Sequence, residues 1–140
     1  MSRIYFTDRD LGKQFPQFLR ENGVAVERHG DLFPPDGSDE QWLEYCGSSG
    51  RVAVSHNWRI RYVPNELAAV VRFKVPLLIL VGRATTGELA RNFVRTLPRI
   101  ESMLDHRDPP FILKVYRPTS SESTGSATAH GRVEVWFPKG

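Results

Sequence analysis

Short apolar runs alternate along the chain with segments of helical periodicity. The runs that predict strands cover residues 3–7, 24–28, 51–55, 75–81, 111–116 and 132–137. Those in the middle of the chain are continuously apolar, which is typical of strands buried on both faces of a parallel sheet. The pattern predicts the α/β fold class, with a mostly parallel central sheet covered by helices.

Apolar residues at helical spacing predict helices over residues 11–22, 39–46, 66–73 and about 86–104. Pro98 interrupts the last of these and predicts a kink or a break there. The segment 30–38, rich in Pro, Gly and Asp, is predicted to be a loop. The Ser/Thr/Gly-rich stretch 118–131 is predicted to be a flexible loop between the last two strands, which can pair at the sheet edge.

The composition fits a single core. The chain has 140 residues, of which 40% are hydrophobic, and no second core is evident. We therefore expect one main unit over residues 1–117, with residues 118–140 adding a loop and an edge strand to the same domain. The single cysteine, Cys46, excludes an intramolecular disulfide. No leader is evident and the longest apolar run is too short to span a bilayer, so we expect a cytoplasmic protein without membrane contact.

Basic residues outnumber acidic ones, giving a formal net charge of +3. This excess favours nucleic-acid contact only weakly, because many small domains carry such a charge. Four basic residues near the polar strand ends are candidates for binding phosphates: Arg9, Lys13, Arg59 and Arg61. A solvated rim is an equally good interpretation of the same residues.

Oxygen-bearing side chains follow strands or open helices at three separate places. Asp8 and Asp10 follow the first strand, Asp39 and Glu40 begin a helix, and Asn57 comes just after the third strand. If these meet at one end of the sheet, a cation such as Mg²⁺ or Mn²⁺ would relieve their repulsion. The spacing alone is better explained by turn residues and a helix cap.

Other candidates are weaker. His56 follows a strand, where a structural role is the commoner one, and the remaining histidines (His29, His106, His130) are expected to be solvated in loops. Cys46 and Trp42 lie on an apolar helix stripe and are predicted to pack in the core. Trp58 is also expected to pack, with stacking on a nucleobase as the alternative.

Three segments in series carry a family resemblance: FTDRDLGKQFPQFLRENGVAVERH, SDEQWLEYCGSSGRVAVSHNWRIRYVPNE and VPLLILVG. Together, from Ile4 to Gly82, they resemble the PIN-like domains of the VapC-type toxin group, which are small bacterial ribonucleases paired with antitoxins. The resemblance implies a PIN-like three-layer sandwich, a Mg²⁺- or Mn²⁺-dependent site built from carboxylates, RNA as substrate, a cognate antitoxin and a possible homodimer.

The resemblance also implies roles for individual residues. Asp8 corresponds to the first metal-binding aspartate and Asp39 to the second acidic position. The third position is an aspartate in a pattern like V-T-x-D-x-x-I, and VSHNWRI has Asn57 there. Asn57 keeps an oxygen ligand but removes one negative charge, which should weaken metal binding. Glu66, in PNE, is a further catalytic candidate, and Asp10 and Glu40 are possible substitutes.

We therefore predict a metal-dependent endoribonuclease that acts as the toxin of a toxin-antitoxin pair. Its predicted catalytic residues are Asp8, Asp39, Asn57 and Glu66, and the first three of these are the predicted metal ligands. The alternative is a catalytically degenerate PIN-like protein that binds RNA or an antitoxin. A third interpretation is a nuclease that processes DNA.

Overall fold

A computed structural model of the protein describes residues 3–118 and 131–138. They form one six-stranded sheet in the order β2-β1-β3-β4-β5-β6. Strands β1 to β5 are parallel to their neighbours, and β6 runs antiparallel to β5. The strands are β1 (Tyr5–Thr7), β2 (Val26–Arg28), β3 (Val52–Ser55), β4 (Pro76–Leu80), β5 (Phe111–Val115) and β6 (Val133–Phe137).

This architecture confirms the predicted fold class and the C-terminal strand pair. The loop predicted between β5 and β6 lies mostly outside the described residues, as does His130. The division of the chain at residues 117 and 118 stays a prediction. None of the helices among the described residues combines the length and the apolar character needed to cross a bilayer.

Helices cover both faces of the sheet, giving three layers. The α-helices are α1 (Gln14–Glu21), α2 (His29–Leu32), α3 (Asp39–Ser49), α4 (Pro64–Arg72) and α5 (Thr86–Asp105). Helix α1 packs against α5, and α3 packs against α4. Two short 3₁₀ helices, Arg9–Leu11 and Trp58–Arg61, follow β1 and β3 directly.

Successive strand residues point to opposite faces, which divides the apolar interior into two clusters. Tyr5 and Val54 belong to the cluster under α1 and α5, whereas Phe6 and Ala53 belong to the cluster under α3 and α4. Trp42 and Cys46 are fully buried in the second cluster, as predicted. A strand buried on both faces explains the continuous apolar runs of the sequence.

Helix α5 continues through Pro98 without a break, and the kink that Pro98 also predicts stays a prediction. Proline has no backbone N–H, so one carbonyl group in the preceding turn lacks its helical hydrogen-bond donor. Because Pro98 is exposed, that carbonyl is accessible to water, and Phe93 and Ile100 anchor the helix in the core on both sides of Pro98. At its start, Thr85 and Glu88 form a capping box.

The stretch predicted as a loop begins with the short helix α2, and His29 is buried rather than solvated. Its ring packs between Phe6 and Phe33, and neither ring nitrogen has a hydrogen-bond partner. Burial, followed by the positive charge of Arg9, lowers the pKa of His29. The expectation for His106 holds, since it is exposed.

The strand order reverses direction between β1 and β3. From β1 the chain moves outward to β2, and from β3 it moves the other way to β4 and β5. Such a switch point opens a crevice beyond the carboxyl ends of the two central strands. The residues that follow Thr7 and Ser55 therefore meet at this edge.

Candidate functional site

A cleft of about 340 Å³ lies at the switch point, and we call it the acidic cleft. Its walls come from the segments that follow β1 and β3 and from the start of α3. Three carboxylates and two guanidinium groups are among the side chains that line it. The lining residues are Asp8, Arg9, Asp10, Asp39, His56, Asn57, Trp58 and Arg59.

Asp8 is the most deeply buried of these carboxylates, with 3% of its surface exposed. Its Oδ1 accepts a hydrogen bond from the Arg9 backbone N–H at 2.7 Å, and its Oδ2 accepts one from the Ser55 hydroxyl at 2.8 Å. Burial and the nearby charge of Asp10 raise the pKa of Asp8 to about 7, against the lowering effect of those hydrogen bonds. The raised pKa indicates that, within the described part of the chain, no nearby positive charge offsets the negative charge of the Asp8 carboxylate.

Asp10 faces the same hydroxyl. Its Oδ2 lies 3.4 Å from the Ser55 Oγ and accepts a hydrogen bond from the His56 backbone N–H at 3.1 Å. Burial raises the pKa of Asp10 as well. The Ser55 hydroxyl has one proton and lies nearer to the Asp8 oxygen, so it donates its hydrogen bond to Asp8. The Asp10 Oδ2 is therefore more available to another partner than the Asp8 Oδ2.

Asp39 begins α3 and is not its cap, since Ser38 occupies that position. Its Oδ1 accepts a hydrogen bond from the Trp42 indole N–H at 2.9 Å and lies 3.6 Å from a terminal nitrogen of Arg9. The Arg9 guanidinium also donates to the carbonyl oxygens of Pro35 and Gly37. Arg9 therefore ties the loop before α3 to the cleft and partly neutralises Asp39.

Asn57 caps the 3₁₀ helix after β3. Its Oδ1 accepts the Arg59 backbone N–H at 3.2 Å, and its own backbone N–H donates to the Ser55 Oγ at 3.0 Å. The side-chain oxygen that would serve a cation is thus already engaged in a local turn. An aspartate would make the same cap and add a negative charge.

The remaining predicted site residues lie outside the acidic cleft. Glu66 stands in the first turn of α4, where burial and the Asp39 carboxylate raise its pKa, so it is electrostatically coupled to the cleft. Lys13 is exposed and does not line the cleft. Arg61 lies over the rings of Tyr62 and Phe137. Arg9 and Arg59 are the two predicted phosphate-binding residues that the fold brings into the cleft.

The chemistry of the donor set fits a hard divalent cation held by few protein ligands. Asp8, Asp10 and Asp39 supply carboxylate oxygens to one cleft, and Mg²⁺ commonly binds through one or two carboxylates while keeping several waters. These side chains do not, however, form a preformed metal-binding cage. Among residues 3–118 and 131–138, no group of three or more His, Cys, Asp or Glu side chains is arranged to hold a metal ion.

Two features of the site were not predicted from the sequence. Ser55 links Asp8, Asp10 and Asn57, although it reads simply as the last residue of an apolar strand. Its position at the threonine of the pattern V-T-x-D-x-x-I was the available signal. Asp10 was ranked below Asp39, whereas the structure places Asp10 beside Asp8 and gives Asp39 a cationic partner.

Residues 4–82 match the family model described as PIN like domain. Comparison with characterised proteins and with solved structures gives no match. The matched segment covers more than half of the chain and contains β1 to β4, including the switch point and every residue that lines the acidic cleft. The chain therefore belongs to the family of PIN-like domains.

Proposed function

We propose that this protein is a metal-dependent endoribonuclease that cleaves RNA at the acidic cleft. PIN-like domains are in general nucleases, and they usually use a divalent metal. The observation that carries the proposal is the convergence of the Asp8, Asp10 and Asp39 carboxylates in one cleft at the switch point, where burial and the nearby charge of Asp10 raise the pKa of Asp8 to about 7. A cation at that point would neutralise the cluster.

Each residue has a part in this proposal. Asp8 and Asp10 would hold the cation, Asp39 would contribute directly or through bound water, and Asn57 would be a weak neutral ligand. When bound, the cation lowers the pKa of water and offsets charge at the scissile phosphate. Arg59, at the rim, binds a phosphate oxygen, and Arg9 keeps Asp39 oriented. Glu66 adds a further acidic group next to Asp39.

The toxin role, an antitoxin partner and a homodimer are supported by the resemblance to the VapC-type group. In this proposal, expression of the protein alone inhibits growth, and a protein encoded by a neighbouring reading frame relieves the inhibition. Growth inhibition that survives loss of cleavage would argue against the ribonuclease as its cause.

The second candidate function is a degenerate PIN-like protein that binds RNA or an antitoxin without cleaving. Two observations favour it. The amide of Asn57 replaces a carboxylate and is occupied by the Arg59 backbone N–H. The described acidic residues also form no ready metal cage.

Cleavage of total RNA with Mn²⁺ or Mg²⁺, and with EDTA as a control, separates the two functions. The parent protein is compared with Asn57→Asp, which keeps the cap and adds a ligand charge. We expect the parent to cleave and the variant to cleave on the order of tenfold faster. Asn65→Asp is the matched control, because it adds the same charge on an exposed residue at the start of α4.

The outcomes are distinct. Cleavage by the parent that is lost in EDTA supports the nuclease. Cleavage by Asn57→Asp alone supports degeneration, and absence of cleavage from both folded proteins contradicts the nuclease. Parallel single-stranded DNA substrates test whether the activity extends to DNA.

A further inference from the structure

A second cavity, of about 610 Å³, adjoins the acidic cleft at the same edge of the sheet. We call it the aromatic pocket. Its floor is the end of β4 and the residues just after it, and its walls carry three aromatic side chains and two cations. The lining residues are His56, Trp58, Tyr62, Ile79, Leu80, Val81, Gly82, Arg83, Lys114 and Trp136.

The aromatic rings stand in a row around the opening. The Tyr62 ring lies 6.1 Å from Trp58 and 5.6 Å from Trp136, and both pairs meet edge to face. Trp58 is 56% exposed and Tyr62 is 61% exposed. The expectation that Trp58 packs in the core was therefore wrong. Two large rings left this accessible offer π-faces to a planar ligand.

The charge around the pocket is positive. The Lys114 Nζ lies 4.4 Å from the Trp136 ring centre, and Arg59 lies over Trp58 at 5.9 Å. Among the residues that the structure describes, no carboxylate lines the pocket, and Glu134, the register partner of Lys114, is paired with Arg132 at 2.7 Å. Within residues 3–118 and 131–138, Lys114 has no ion pair, so its charge is available to an anion.

The two cavities share a wall. His56 and Trp58 line both of them. The His56 ring is fixed by contact of its Nε2 with the Gly82 carbonyl oxygen at 2.8 Å, while its backbone N–H binds Asp10. A ligand that places a phosphate in the acidic cleft can therefore place an adjoining group in the aromatic pocket.

We propose that the aromatic pocket binds an unpaired nucleobase next to the phosphate held in the acidic cleft. This inference rests on the proposed nuclease function and adds a base-binding subsite, two of whose lining residues, Lys114 and Trp136, lie outside the matched segment 4–82. A nucleotide offers the flat face of its base to the rings and its charged phosphate to the cations, whereas an alkyl chain uses only the apolar part. Bases within a duplex are already stacked and cannot enter.

Binding of two labelled oligonucleotides, measured by fluorescence anisotropy in EDTA, tests the inference without cleavage. One is a single-stranded ten-nucleotide RNA, and the other has the same phosphates but abasic sugars. We expect the parent to bind the base-containing strand at least tenfold more tightly, and Tyr62→Ser to reduce that preference about fivefold or more. Trp136→Leu should act in the same direction.

Leu32→Ser is the matched control, because Leu32 is also an exposed apolar residue, on α2, and does not line the pocket. Circular dichroism confirms folding of each variant, and Tyr62→Ser carries the test if Trp136→Leu is unstable. Equal binding of the two oligonucleotides by the parent, or an unchanged preference in folded Tyr62→Ser, would overturn the inference.

Failure of the nuclease proposal gives a different result. In that case the preference for bases persists in EDTA, while RNA remains intact in Mg²⁺ and Mn²⁺. Failure of the pocket inference alone leaves RNA cleavage in place and removes the preference for bases over abasic sugars.

Discussion

Two adjoining cavities at the carboxyl edge of the sheet carry opposite chemistry. The acidic cleft collects carboxylates from segments that follow β1 and β3 and from the start of α3, and hydrogen bonds through Ser55 hold two of them in place. The aromatic pocket collects rings and cations. In the proposals above, the cleft holds a cation and the pocket holds a flat ligand that carries negative charge nearby.

In the two proposals, one edge of the fold separates chemistry from recognition. Asp8 is buried in the cleft, and desolvation raises the pKa of both Asp8 and Asp10, which favours a cation beside them. The pocket has its rings exposed, so binding there costs little desolvation of charge. Changes in the cleft should therefore act on cleavage, and changes in the pocket should act on affinity.

The largest expected effect separates the two cavities directly. Asp8→Asn removes the buried ligand charge but keeps an oxygen for the Arg9 backbone N–H, and we expect metal-dependent RNA cleavage to fall on the order of a thousandfold. Binding of single-stranded RNA in EDTA should be nearly unchanged. Cleavage assays and anisotropy on the same preparation measure both quantities.

Asp36→Asn is the control for this variant, because Asp36 is exposed in the loop before α3 and makes the same charge change. Asp8→Asn protein that cleaves RNA at the parental rate would exclude Asp8 as a metal ligand. Loss of RNA binding together with cleavage would show that the two cavities do not act separately.

The second effect concerns the free energy of unfolding without metal. The folded-state pKa of Asp8, about 7, lies above the ordinary aspartate value of 3.8, so the folded protein holds a proton that the unfolded chain releases. This stabilisation is fully present below about pH 4 and is lost as pH rises to about 7, at about 1.4 kcal/mol per pH unit. Asp8→Asn should therefore gain stability over the parent as pH rises.

Urea unfolding of both proteins at several pH values in EDTA measures this difference. His29, whose pKa is lowered by burial, gives a slope of opposite sign, but it is present in both proteins and cancels. Added Mg²⁺ should stabilise the parent more than the variant at pH 8, because it binds the ionised carboxylates. A pH-independent difference between the two proteins would contradict the raised pKa.

The sequence was sufficient to predict that the main residues of the acidic cleft lie at one edge of the sheet, because they follow strands directly. The apolar runs of β1 and β3 locate Asp8 and Asn57 at strand ends, and parallel strands bring such ends to one edge. What it did not reveal is the order of contacts within the cleft. The bond from Ser55 to Asp8 and the pairing of Asp39 with Arg9 depend on side-chain directions that no spacing specifies.

The aromatic pocket could not be predicted from the sequence, because its residues come from separate parts of the chain. Trp58 and Tyr62 come from a 3₁₀ helix and the residue that follows it, whereas Lys114 and Trp136 come from two strands that pair across the segment 119–130. Their meeting depends on the register of β5 with β6, which is irregular between Ile112 and Leu113. Only Trp58 was recognised as able to stack on a base, and core packing was the preferred interpretation.

The smallest expected effect concerns the charge of the aromatic pocket. Lys114→Gln keeps much of the aliphatic stem over Trp136 but removes the ammonium, so we expect single-stranded RNA to bind about threefold more weakly in EDTA. The slope of log affinity against log salt should fall by about 0.7, the value for one phosphate contact on a single strand. The preference for base-containing over abasic strands should remain, since the Tyr62 and Trp58 rings are untouched.

Arg107→Gln provides the control, because Arg107 lines a separate basic pocket at the starts of β3, β4 and β5. Equal salt slopes for the parent and Lys114→Gln would mean that the rings bind the base without help from this cation, and the positive contribution would then fall to Arg59 and Arg83.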